Sequence, residues 1–177
     1  YALTGLFLLT PEGALGGMLH VLFHATIKVC LFLVAGSIIH NTGKTNVDEF
    51  DGIGKAMPKT LWAFTFAALA LIGIPPASGF VSKWYLAMGA LDSGMAVYSW
   101  LTPVVLLISA LLTAGYLLPV TVRGFFPGKD AVLPPKNDEG GWGMVAPIWI
   151  LAALTLLLGL CAGSMLGAME SLTASLF

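Results

Sequence analysis

Residues 14–39 form a run apolar enough and long enough to cross a lipid bilayer, yet the run carries His20, His24 and Lys28. A spanning helix needs about 20 mostly apolar residues, and ionisable groups at that depth rarely serve packing alone. Their spacing of i, i+4, i+8 stacks them on one face of a helix, about 6 Å apart at a rise of about 1.5 Å per residue. That face is a ladder of proton-binding groups.

Composition extends the argument from one segment to the chain. Hydrophobic residues make up 58% of the 177 positions and charged residues 10%, where a soluble domain carries about 25% charge. Mean hydropathy is +0.91. The apolar runs lack the strict alternation of barrel strands, so the expected class is an all-α integral membrane protein, a polytopic bundle of transmembrane helices forming a single membrane domain over residues 1–177. Cys30 and Cys161 both sit in apolar segments without paired spacing, which points to neither a disulfide nor a metal site. The chain holds no redox-cofactor motif, so no cofactor is expected. Lipid is an expected partner and nucleic acid is not.

Residues 1–9 read as a partial helix, so the chain looks like a fragment that begins within a span; nothing basic precedes this run, so no signal peptide is expected. A turn is expected at residues 10–13, then the span 14–39, with His40 near water. The loop 41–59 mixes Lys44, Asp48, Glu49, Asp51, Lys55 and Lys59 with Phe50, Ile53 and Met57, a pattern suited to the membrane interface. The next span, 60–91, is longer than one crossing requires and is interrupted by Gly73-Ile-Pro75-Pro76-Ala-Ser-Gly79. Two prolines remove two amide donors and push the residue before each out of the helical region. A break is therefore expected at Pro75, Pro76 and Gly79, and backbone freed at that depth must be buried in protein or line a watery cavity. Lys83 follows on the second half-helix.

A span over 96–122 places Ser109, Thr113 and Tyr116 on one side, with Pro119 kinking its end. The loop 123–142 is polar and contains Pro134-Pro135 and Gly140-Gly141. The last span, 144–166, carries Gly159 and Gly163, followed by Gly167, a double G-x-x-x-G suited to close helix packing. Of the eight Lys and Arg, Lys28 and Lys83 lie inside spans. The others (Lys44, Lys55, Lys59, Arg123, Lys129, Lys136) all fall in the loops 41–59 and 123–142, while Glu12, Asp92 and Glu170 mark the opposite side. The positive-inside rule makes the two basic loops cytoplasmic and puts the C-terminus outside. The same split favours one crossing for the broken segment.

An ammonium at the bilayer centre costs about 2.5 to 3.5 kcal/mol on the lenient insertion scale. Lys28 and Lys83 are therefore either structural cations paired with carboxylates elsewhere in the bundle or desolvated lysines able to exchange a proton. The acidic residues at span ends supply no partner at their depth. His20 and His24 could share a metal, though no further ligand set accompanies them. They could also be satisfied packing residues, or a proton relay toward Lys28, since imidazole titrates closest to neutral pH. Ser78 and Ser82 flank Lys83 at the break, where discontinuous helices can present backbone dipoles to ions. Ser109, Thr113 and Tyr116 either extend a polar path or bond their own helix.

The run His20-Val-Leu-Phe-His24-Ala-Thr-Ile-Lys28-Val-Cys-Leu-Phe-Leu-Val-Ala-Gly36 resembles the H-x-x-x-H-A-x-x-K-x-x-L-F-L-x-x-G segment of antiporter-like proton-pumping subunits. That family includes membrane-arm subunits of respiratory complex I (NADH dehydrogenase), related subunits of membrane-bound hydrogenases, and Mrp-type Na+/H+ antiporter subunits. Gly52-Ile-Gly-Lys-Ala-Met-Pro58-Lys-Thr60 and Gly73-Ile-Pro-Pro-Ala-Ser-Gly79-Phe-Val-Ser-Lys83 are similar to its G-x-x-x-x-M-P-x-T and G-x-P-P-x-x-G-F-x-S-K segments. The likeness covers the chain to about residue 91 and fades beyond.

The resemblance implies the C-terminal part of a longer chain of two inverted repeats, in a bacterial or archaeal plasma membrane, partnered by other membrane subunits. Lys28 would match the central lysine of the second repeat, His20 and His24 the histidines of its approach, and Lys83 the lysine of the broken helix facing the outer exit. The expected function is proton translocation along these residues within an energy-converting complex. The alternatives are an Mrp-type subunit that also passes Na+, and a non-conducting scaffold. Some complex I members carry glutamate where Lys83 stands, which leaves the choice among complexes open.

Overall fold

The computed structural model describes residues 1–128 and 139–173, with the side chains of residues 168 and 170–173 left aside. Among the described residues all regular structure is helical: α1 (Ala2–Phe7), α2 (Pro11–Thr42), α3 (Ile53–Ala56), α4 (Pro58–Ile72), α5 (Ser78–Asp92), α6 (Tyr98–Phe125), α7 (Gly141–Leu160) and α8 (Ala162–Thr173). Helices α2, α6 and α7 are each long and apolar enough to cross a membrane, and α4 is a shorter apolar helix. This is an all-α membrane protein, a helix bundle with one proline-broken helical segment.

The spine is α2, whose 32 residues extend about 48 Å. Residues 10–13, expected as a turn, instead start this helix. Thr10 is its N-cap, Pro11 occupies the first turn, where a missing amide hydrogen costs nothing, and Glu12 lies at the positive end of the helix dipole. The Thr10 hydroxyl accepts the Gly13 amide at 3.1 Å and donates to the Gly89 carbonyl at 3.1 Å, joining α2 to the end of α5. Gly43, at φ 68°, closes the helix with its amide on the Ile39 carbonyl.

The two halves of the broken segment lie end to end along α2 and antiparallel to it. A Cβ at Gly16 would stand 2.6 Å from the Leu86 amide nitrogen, so the missing side chain sets the approach of α5. Further along, Ile27 meets Gly79, the second residue of α5, and Gly79 in turn abuts the Ala70 carbonyl near the end of α4. From there α4 takes over. Ile27, Cys30, Val34 and Ile38 of α2 pack with Ala63, Ala67 and Ala70 of α4 and with Ile148 and Ala152 of α7. Without a hydrophobic drive between helices in lipid, such small-residue contacts associate helices by dispersion.

Segment 47–56 folds as a 3-10 turn over Val47–Glu49 followed by α3. Arg123, in the last turn of α6, fastens it: the guanidinium donates to the Asp51 carboxylate at 2.7 Å and the Asp48 carboxylate at 3.1 Å, and the Arg123 carbonyl accepts the Gly52 amide. The expected last span, 144–166, is divided. Helix α7 stops at Leu160, and the chain turns at Cys161 before α8 begins. Lys129, Lys136 and Pro134-Pro135 lie outside the described residues, as does the Glu170 side chain.

Candidate functional site

The site is built on the break. At the end of α4, Gly73 adopts φ +95° and its amide bonds the Leu69 carbonyl, as does the amide of Ile74. The last carbonyls of a helix have no partner within it. Here Lys83 reaches back from α5 and its Nζ donates to the carbonyls of Leu71 at 3.0 Å and Ile72 at 2.7 Å. The ammonium thus sits at the negative end of the α4 dipole. Its side chain crosses Gly73, where a Cβ would stand 3.1 Å from the Lys83 Cδ. Beside it lies a cavity of about 210 Å3 between α5 and α6, lined by Lys83 and apolar groups including Phe80, Trp84 and Leu106.

The other half of the break is α5, whose N-cap residue Ala77 offers no side-chain oxygen. Ser78 is fully buried and its Oγ has no hydrogen-bond partner among the described residues. Gly159 of α7 lies against the Pro76 carbonyl and the Ser78 amide, so its lack of a side chain lets α7 seat the break. A Cβ at Gly163 or Gly167 would meet nothing within 4 Å. Of the three glycines expected to pack helices, Gly159 alone is closely approached by described residues of another element.

The ladder on α2 joins the break at one point. His20 Nδ1 and Ser82 Oγ are 3.0 Å apart, and Ser82 immediately precedes Lys83. The His20 and His24 rings follow at a centroid separation of 5.3 Å, and Tyr1 packs its edge on His20 at 5.1 Å. Lys28, half-exposed and one residue beyond Ile27, lies at the level of the break. No hydrogen bond or ion pair reaches it among the described residues. The ladder therefore runs Lys28, His24, His20, Ser82, and it is His20 at the far end from Lys28 that touches the broken helix.

Ser109, Thr113 and Tyr116 lie along α6. The Thr113 hydroxyl donates to the Ser109 carbonyl of its own helix at 2.7 Å, and Tyr116 is 56% exposed on the outer face of α6. None of the three lines the cavity beside Lys83. His40 is exposed. No group of three or more His, Cys, Asp or Glu among the described residues could hold a metal ion.

One buried acid escaped the sequence reading. Glu139, 4% exposed, accepts the Lys59 amide at 3.2 Å and, on its second oxygen, both the amide and the hydroxyl of Thr60 at 2.8 Å. The signal that could have found it lies in the helix it serves. Helix α4 starts at Met57-Pro58 with no capping side chain of its own, so its first amides need an acceptor from elsewhere.

Known proteins share this fold. The chain is 38% identical over 171 residues to an NADH-quinone oxidoreductase subunit of Desulforudis audaxviator, covering 90% of this chain and 33% of that protein. It is 33% identical over 158 residues to a Na(+)/H(+) antiporter subunit of Bacillus subtilis, covering 89% and 31%. It superposes with a TM-score of 0.80 on a chain of the Mrp complex from a Dietzia species, at 26% identity, over 98% of this chain and 40% of that one. The chain spans about a third of the length of the curated relatives it matches. Residues 1–113, which hold the ladder, the break and Lys83, match the family described as NADH:quinone oxidoreductase/Mrp antiporter, TM, and the chain belongs to that family.

Proposed function

We propose that the chain is the proton-conducting part of an antiporter-like subunit, with Lys28, His24, His20 and Lys83 as the groups that hand on the proton. The observation that carries this reading is the His20–Ser82 contact, which brings a ladder of ionisable groups to a helix break where a lysine is already held by backbone carbonyls. A proton leaving Lys83 would leave an amine between two carbonyl acceptors and a cavity, a place from which the side chain can swing. At an effective dielectric near 20, two unit charges about 8 Å apart interact by about 2 kcal/mol. That is enough for a charge arriving on one rung to drive a proton off the next.

In this reading α4 and α5 together make one broken crossing, and the loops 41–59 and 123–142 lie on the cytoplasmic side. The partners are other membrane subunits of a multisubunit complex, as the name of the Dietzia assembly suggests. The Bacillus relative's name motivates a second reading, in which Na+ crosses the same subunit in exchange for protons. One experiment tests both. The full-length protein is reconstituted with its complex in proteoliposomes, and fluorescence quenching driven by a pH gradient is compared for wild type and Lys28→Ala, with and without Na+. Loss of a Na+-independent signal in the variant supports proton conduction; a wild-type signal that requires Na+ moves the assignment to Na+/H+ exchange. Normal transport by Lys28→Ala would sink the relay.

A further inference from the structure

Helix α4 is held at both ends by side chains from other parts of the sequence, and the two ends differ in what they hold. Its C-terminal carbonyls grip Lys83. Its N-terminus has no cap of its own, since Met57 carries no oxygen on its side chain, and Pro58 supplies no amide hydrogen. The amides of Lys59 and Thr60 are instead satisfied by Glu139, from 80 and 79 positions away in the chain.

Three observations mark Glu139 as placed for this task. Its carboxylate is buried and receives three hydrogen bonds. Its backbone adopts φ +57°, a left-handed conformation that non-glycine residues seldom take, and positive φ continues through Gly140 to Gly141, the first residue of α7. The neighbouring cation does not compete for it, because the Lys59 ammonium lies over the Trp142 ring at 5.7 Å. The carboxylate faces the positive end of α4 and the Lys83 ammonium the negative end, each where the dipole favours it.

We infer that Glu139 is a positioning residue for Lys83: by fixing the N-terminus of α4 it fixes the axial placement of the Leu71 and Ile72 carbonyls about 22 Å away, at the far end of a 15-residue helix. The helix transmits the constraint because α4 is packed against α2, α6 and α7, and a close-packed interior carries a shift at one end toward the other. The loop preceding α7 thereby governs the lysine at the break without touching it.

The structural half of this inference stands without transport; only its consequence for conduction rests on the reading above. The test uses the full-length protein in its complex and measures amide hydrogen exchange alongside proton transport. In Glu139→Gln, one carboxylate oxygen is replaced by a donor that faces the α4 amides. Exchange is expected to rise about tenfold at residues 59–63 and also at residues 70–74, with transport reduced while assembly is kept. A rise confined to residues 59–63 would overturn the inference, since Glu139 would then be a local cap. Should Glu139→Gln fail to assemble, Thr60→Val and Thr60→Ser decide the matter. The valine removes one hydrogen bond and the serine keeps it, so faster exchange at 70–74 with the valine alone is expected, and equal exchange in the two overturns the proposal. If the wild type moves no protons, the conduction reading fails and the exchange pattern still judges Glu139.

Discussion

Lys28 and Lys83 both stand on helices of the bundle, yet among the described residues one is held and the other is not. Lys83 finds two carbonyls because α4 ends beside it. Lys28 sits in the middle of α2, a continuous helix whose carbonyls there are taken by its own amides. A lysine inside a membrane can thus be stabilised by breaking a neighbouring helix, which creates acceptors without introducing a negative charge. A lysine on an unbroken helix must find its counter-charge elsewhere, and none of the described residues of this chain provides one.

The strongest way to break the comparison is to attack the break itself. Gly79→Val would drive a branched side chain into the Ala70 carbonyl where α4 meets α5. Overpacking of this kind costs about 1 to 3 kcal/mol and sometimes more, and here the displaced atoms are backbone that also positions the Lys83 carbonyls. The expected outcome is loss of assembly, read from native electrophoresis of the complex. Normal assembly with normal transport would show that the two half-helices need not meet as they do here.

Substituting each lysine by methionine sharpens the contrast. Both changes should stop proton transport, but their effects on stability should differ. Lys83→Met leaves the Leu71 and Ile72 carbonyls without donors and should lower stability by about 2 kcal/mol, seen as a lower melting temperature of the purified complex. Lys28→Met orphans no described group and removes a cation that is costly at that depth, so melting should be unchanged or raised. A drop as large as that of Lys83→Met would reveal a partner carboxylate and place Lys28 among structural cations.

The difference between the lysines also explains what could be read from the sequence. The ladder was legible because an apolar run fixes a helix and i, i+4, i+8 fixes a face. The break was legible because Pro75-Pro76 removes amide donors wherever it falls. The occupants of the freed backbone groups were not. That Lys83 turns back to α4, and that Glu139 caps the other end, depends on contacts 11 and 79 positions apart in sequence. No local periodicity encodes them. The register between ladder and broken helix was not legible for a related reason: α5 is antiparallel to α2, which brings Ser82 level with His20.

Ser82→Ala tests that register. It removes the hydrogen bond between His20 of the ladder and the broken helix and leaves Lys83 and its carbonyls in place. A neutral hydrogen bond contributes about 0.5 to 1.5 kcal/mol, so stability should fall by that amount and proton transport should slow by up to about tenfold. If transport is unchanged while Lys28→Ala abolishes it, protons pass from Lys28 to the break without using His20.

The smallest effects are expected at the glycines of the C-terminal segment, where the sequence pattern is uniform and the surroundings are not. Gly159 touches the Pro76 carbonyl and the Ser78 amide, so Gly159→Ala should press on the break and lower both stability and transport. Gly167→Ala meets open space within this chain, and alanine is the better helix former by about 1 kcal/mol at most. Its melting temperature should therefore stay level or rise slightly. A loss of assembly on Gly167→Ala, measured against Gly159→Ala in the same complex, would show that α8 presents its small-residue face to another part of the assembly, and that the break is seated by α7 alone.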